Sequence, residues 1–161
     1  MSLVIDTLRT SPVTEELSEA EVEILAELFE VKEYKSGDII VQPRDDQPDN
    51  LYILANGDIE VKIESNAEET TIHVLKPGDL AGMITFAGGA ATQVSATLYA
   101  VGATKVLSMG RIRFETLINS HPMIVYRVMR GIIRNMHGIV RRVNSESAEL
   151  TNYIYKSGGR Y

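Results

Sequence analysis

Apolar positions recur along this chain with two periods, and the change of period divides it. Val22, Leu25, Ala26, Leu28 and Phe29 return at helical spacing and predict a helix over 19–30. Ser18 with Glu21 three residues on forms a capping box at its start. Residues 1–13 read as a loosely packed lead-in, broken at Ser11-Pro12. From 33 to 106 the period is two. Ile39 and Val41 share a face, and Leu51-Tyr52-Ile53-Leu54 reads as a buried strand. Asn56-Gly57-Asp58 predicts a hairpin, because a tight turn needs positive φ there. Ile59, Val61 and Ile63 alternate with Glu60, Lys62 and Glu64, and a polar turn over 65–69 precedes a strand with Ile72, Val74 and Leu75. A last strand is expected at 106–109, then a short helix over 113–118 ended by His121-Pro122. Short strands parted by Gly, Asn and Asp turns predict a sandwich or a barrel-like roll.

Between these strands lies KPGDLAGMITFAGGAATQVSATLYAV, residues 76–101. Lys76-Pro77-Gly78-Asp79 is a turn. Residues 80–91 are small and uncharged, and a short helix is expected to open near Ile84 or Thr85. Its first N–H groups would form a seat for an anion. From Gln93 the pattern is extended and β-branched. A tight corner in an all-β domain is the plainer account of the same residues.

Pro122 suits the first turn of a final helix, predicted over 123–155. Met129, Met136, Val143 and Leu150 repeat every seven residues, with Ile132 and Ile139 on the second seam of the same heptad and Glu146 interrupting it. Such a helix is ~50 Å long, which favours a parallel two-helix homodimer over a helix folded back on its own domain. Arg127, Arg130, Arg134 and Arg141 lie along one flank. Ion pairs to glutamates within a dimer are the plain account of these arginines, a phosphate ligand or an acidic partner the sharper ones. Residues 156–161 read as a flexible tail.

Composition narrows the chemistry. With 161 residues, 44% of them hydrophobic, one core is expected. A net charge of −6 offers no bulk attraction to nucleic acid or anionic lipid. No cysteine is present, so thiol catalysis and thiolate metal sites are excluded. No apolar run approaches the ~20 residues that span a bilayer, and no signal peptide is evident. The three histidines are scattered, and His121 reads as a helix terminator rather than a base. No catalytic or metal-binding residue is therefore proposed, and a cytoplasmic, non-enzymatic protein is expected.

The 76–101 stretch resembles the phosphate-binding cassette of the cyclic-nucleotide-binding domain family, which includes the catabolite activator protein. The family pattern is roughly P-G-D-x-x-G-E-[LI], then R-[AS]-A-x-x-x-A. Pro77, Gly78, Asp79, Gly82 and Ile84 match the first half, and Ser95, Ala96 and Ala100 the second. Gly37-Asp38-Ile39-Ile40, 51–57 and 114–122 also fit, so the resemblance covers most of the chain; Asp45 stands where members usually have glycine. It implies a mainly β fold with flanking helices: a double-stranded β-helix, or jelly-roll-like β-roll, over 1–121 with its N-terminal helix. A long dimerisation helix and tail follow over 122–161.

Two positions depart from the pattern. The glutamate that accepts the ribose 2′-hydroxyl falls on Met83, and the arginine that pairs with the cyclic phosphate falls on Val94. The expected pocket is lined by Gly82, Met83, Ile84, Thr85, Val94, Ser95 and Ala96, with Arg130, Arg134, Ile139 and Val140 as contributions from the long helix. The dimer seam is read as Met129, Ile132, Met136, Ile139, Val143 and Leu150. A regulatory module that does not take cAMP or cGMP in the usual way is the expectation. A weak cyclic nucleotide binder, with that nucleotide or another small ligand in the pocket, and an interaction module for a separate effector are the alternatives. The family's transcription factors continue into a helix-turn-helix after this helix; none follows here, so direct DNA binding is not expected.

Overall fold

The computed structural model describes residues 1–43, 49–88 and 96–158. Residues 1–13 are not a loose lead-in. Helix α1 (Ser2–Arg9) buries Val4 and Leu8, and Val13 lies in a short 3-10 turn (Pro12–Thr14) with 1% exposure. The Ser11 hydroxyl caps that turn by accepting from the Val13 N–H at 3.3 Å, and the Thr14 hydroxyl donates back to the Leu8 carbonyl. Helix α2 (Glu19–Ala26) starts on the expected capping box: Ser18 Oγ accepts from the Glu21 N–H, and the Glu21 carboxylate accepts from the Ser18 N–H. It stops before the expected Glu30, because Glu30 opens strand β1 (Glu30–Tyr34) opposite Ser108. Phe29 turns into the core instead.

The sheet is antiparallel. After β1 come β2 (Ile39–Val41), β3 (Asn50–Ser65), β4 (Glu68–Leu75), β5 (Leu80–Ala81) and β6 (Thr97–Gly110). The order is β1-β6-β3-β4, with β2 also on β6 and β5 also on β3. The long β3–β6 ladder, from Asn50↔Gly110 to Lys62↔Thr97, is the spine. Asn56-Gly57-Asp58 is not a hairpin: β3 runs straight through it, and the register against β6 shifts on both sides of Asn56. Gly57 has φ +84°, and a Cβ there would lie 2.6 Å from the Ala103 carbonyl oxygen. The positive φ therefore bends a strand in contact with its neighbour. The hairpin falls instead at Asn66-Ala67, both at positive φ, between the paired Ser65 and Glu68. The strands expected at 93–101 and 106–109 are, over the described residues, one strand, β6.

Bending the ladder gives it two buried faces. Leu51, Ile53, Leu107 and Met109 meet Val4, Leu8, Leu25 and Phe29 in one core. Tyr52, Leu54, Ile59, Leu98, Ala100 and Val106 point the other way, into the roll. This is why 51–54 is apolar without alternation.

The helix expected over 113–118 is two pieces, α4 (Arg111–Glu115) and α5 (Leu117–Ser120). Helix α6 (Pro122–Gly158) begins at the expected proline and continues through the start of the expected flexible tail. Its first turns belong to the main core: Ile124, Val128 and Ile132 are 1%, 0% and 3% exposed. From Arg141 to Tyr155 every residue is exposed. Gly131 lies where α6 crosses the 3-10 turn, and a Cβ there would stand 2.4 Å from the Pro12 carbonyl oxygen and 2.9 Å from Val13 Cα.

In an open helix Gly→Ala gains about 1 kcal/mol, so the sign of the effect tests this contact. Gly131→Ala should lower the stability measured by urea unfolding by about 1–3 kcal/mol, the usual range for overpacking. Gly138→Ala, with nothing near its Cβ, should not.

Candidate functional site

The cassette is built on the start of β3. Asp79 closes the turn before it, its carboxylate accepting from the Lys76 N–H at 2.9 Å, while the Gly78 N–H donates to the Leu54 carbonyl at 2.8 Å. Strand β5 then pairs with Tyr52 and Ile53 and brings Gly82 onto Asn50. Gly82 has φ +75°, and a Cβ would meet the Asn50 carbonyl oxygen at 2.4 Å. No other residue fits both the conformation and the space. Helix α3 (Met83–Ala87) follows, at the place expected for it. Phe86 anchors it, 2% exposed, with its ring 5.3 Å from that of Phe114 on α4.

Gly82, Met83, Ile84 and Thr85 are thus brought together. Met83 is half-buried and packs on the main core, Ile84 is 60% exposed, and Thr85 donates its hydroxyl to the Gly82 carbonyl at 3.0 Å. Val94 and Ser95 lie outside the described residues; Ala96 is half-buried beside the start of β6. Two expected contributions from the long helix, Arg130 and Arg134, are paired with glutamates. Arg130 Nε pairs with Glu16 at 3.0 Å, and Arg134 with Glu15 at 3.4 Å and Glu16 at 3.5 Å. With Arg127 and Glu21 at 3.1 Å, they form a ladder to the segment before and within α2, so three of the four arginines on this flank pair with glutamates of the same chain, where pairs within a dimer were expected. Ile139 and Val140 lie beyond Met136, the last α6 side chain packed on the core that Met83 joins, and Val140 is 52% exposed. The expected seam also needs correcting, since Ile132 is buried within its own chain.

One cation at the cassette was not foreseen. Arg111, the first residue of α4, pairs through Nε with Asp49 at 3.1 Å and through Nη1 with Glu115 at 2.9 Å. Glu115, then Asp49, hold its pKa above the ordinary arginine value. The i,i+4 spacing to Glu115 is visible in the sequence; Asp49, 62 residues away, is not.

Among the described residues no group of three or more histidine or carboxylate side chains is arranged to hold a metal, and no helix is long and apolar enough to cross a membrane.

A bent antiparallel roll with a Pro-Gly-Asp turn, a five-residue helix and a long terminal helix defines a regulatory class of domain. The model of the cyclic nucleotide-binding domain family matches residues 31–121, and the chain belongs to that family. The HTH-type transcriptional regulator Cmr of Mycobacterium tuberculosis is 27% identical over 124 residues, covering 72% of this chain and 46% of that protein. The chain thus spans about half the length of this curated relative. A cyclic nucleotide-binding domain from Methylobacillus flagellatus superposes with a TM-score of 0.78 at 17% identity, over 90% of this chain and 80% of the other. The regulatory subunit of a cAMP-independent protein kinase A from Trypanosoma brucei, solved as a triple mutant bound to cAMP in its A site, has a TM-score of 0.67 at 21% identity, over 86% and 50%. At these identities the two structures establish the fold.

The ion-pair ladder makes stability depend on acid. The hydrogen bond from Arg130 holds the Glu16 carboxyl below its usual range. Glu21 is lowered first by the Ser18 backbone N–H, with Arg127 adding to it. Depressed carboxylate pKa values contribute stability that is complete above the unfolded value, about 4.3, and is lost as pH falls through the folded one. Urea midpoints of the parent should therefore fall between pH 5 and pH 3 more steeply than those of a Glu16→Gln/Glu21→Gln variant; parallel curves would refute the linkage.

Proposed function

We propose that this regulatory module does not take cAMP or cGMP through the two charged contacts of its family, and that its cassette faces an apolar ligand or is filled by the chain's own side chains. The observation that carries this is Met83: at the first position of α3, where the family has its ribose acceptor, stands a thioether already packed on the core. A thioether is a weak acceptor for a ribose hydroxyl. Val94 removes the arginine, and a hydrogen bond to a charged group contributes about 1.5–3 kcal/mol. Arg130 and Arg134 are engaged elsewhere, which weighs against their replacing it. The kinase relative supports the reading by analogy: it is described as cAMP-independent, and one of the three substitutions in its cAMP-bound form introduces an arginine.

The output we assign to α6, as a parallel homodimer that serves a separate effector in the cytoplasm. Its exposed apolar side chains favour a seam shifted from the sequence-based one. Ile133, Val140, Val143 and Leu150 are 63%, 52%, 49% and 61% exposed, and half-buried Met129 and Met136 complete a spacing of four and three. Ile133 and Val140 then take one heptad position and Met129, Met136, Val143 and Leu150 the other, a β-branched and unbranched mixture suited to two strands. Ser147 replaces Glu146 as the polar interruption. On this reading the sensing unit extends past 121 into the first turns of α6, and the distal helix carries the dimer.

Titration calorimetry with cAMP and cGMP should give no binding tighter than about 100 μM for the parent. Met83→Glu/Val94→Arg should bring one nucleotide to about 10 μM or below, near −7 kcal/mol. A parent constant under about 10 μM would overturn the proposal. In sedimentation velocity the parent should run as a dimer and Ile133→Asp/Val140→Asp as a folded monomer. A monomeric parent would remove the dimer without touching the pocket reading.

A further inference from the structure

Both ends of α3 rest on one junction of the spine. At its N-terminal end Gly82 is pressed on the Asn50 carbonyl. At its C-terminal end Gly88 has φ +80°, and a Cβ there would lie 3.1 Å from Arg111 Nε and 3.4 Å from its Cδ and Cζ. Asn50 and Gly110 are paired across β3 and β6, and the Arg111 N–H donates to the Asp49 carbonyl at 2.8 Å, so the two seats are neighbours. The guanidinium lies beside Gly88 at the end of α3 and pairs with Asp49 in the lead into β3 and with Glu115 on α4. Arg111 is only one-third exposed, and its two carboxylates come from different elements.

We propose that Arg111 is an internal clasp that holds the cassette helix in place without a ligand, and that it couples the position of α3 to α4 and thence to the start of α6. The sequence supplies its logic: Val94 leaves the cassette without its own arginine, and Arg111 provides a cation at the end of α3, fixed by protein carboxylates rather than by a bound phosphate. Phe86 on Phe114 supplies the apolar half of the same coupling. A guanidinium whose charge is already matched by two carboxylates attracts an anion weakly, so the clasp competes with ligand binding instead of assisting it. The inference does not depend on the pocket reading above, because it concerns the protein with nothing added.

Hydrogen exchange read by mass spectrometry on ligand-free protein tests it. Arg111→Gln should raise exchange over 82–88 and 112–120 by ~10-fold while the β3–β6 amides keep their parent rates, since opening is local. Arg111→Lys keeps the charge but loses the fork and should fall between. Glu115→Gln, on the exposed side of α4, should raise the same segments less. If Arg111→Gln fails to fold, Asp49→Asn, which removes one of the two carboxylate partners, provides the same comparison. Unchanged exchange over 82–88, or an equal rise throughout the chain, overturns the clasp. Calorimetry on the same variant separates the two proposals: a gain in cyclic nucleotide affinity on Arg111→Gln supports the competition, and a loss overturns it by making Arg111 a ligand contact.

Discussion

The whole architecture depends on one bent ladder. β3 and β6 remain hydrogen-bonded partners from Asn50↔Gly110 to Lys62↔Thr97 although both change direction on the way. The bend requires a residue that takes positive φ and leaves room for the opposing strand, and only Gly57, pressed on Ala103 and Thr104, meets both conditions. Thr104, 1% exposed, returns its hydroxyl to the Gly102 carbonyl at 3.1 Å and satisfies a backbone acceptor that the bulge would leave exposed. From this bend come the closed roll on one face and the helix-covered core on the other. The same ladder brings residues 49–50 beside 110–111, where the cassette is seated.

In the cassette the contacts that set the backbone are separate from the side chains that would face a ligand. Its shape is set by Gly82 on Asn50, by the Asp79 turn and by Phe86 against Phe114, all contacts within the chain. Met83 can therefore stand at the first position of α3 without disturbing the turn before it. Family membership follows from the scaffold; function follows from the side chains placed on it.

Long helix α6 reconciles a basic surface with an acidic protein. Arg127, Arg130 and Arg134 face Glu15, Glu16 and Glu21, so local charge is balanced along that part of the helix. Exposed pairs of this kind contribute little singly, and the tight crossing of Gly131 over Pro12 does more to set where the helix lies. That crossing also decides which residues remain outside: it turns Ile132 inward and leaves Ile133 exposed.

The sequence alone determined what local backbone chemistry decides. The Ser18–Glu21 capping box, the Pro122 helix start, the Pro77-Gly78-Asp79 turn and the period-two stretches all reappear, since each is settled by φ/ψ preference or by nearby hydrogen bonds. The pattern of the cassette was enough to locate α3. Tertiary structure decided what depends on the facing element. Asn56-Gly57 is a sound local turn signal, yet the facing strand makes it a bend, and the less obvious Asn66-Ala67 makes the hairpin. Residues 1–13 become core because Leu8 and Val13 find partners far along the chain. Ile132 and Ile133 have the same side chain, and only the position of α6 against residues 12–13 buries one and exposes the other. Arg111 and Asp49 meet for the same reason: charge is written in the sequence, but distance is set by the fold.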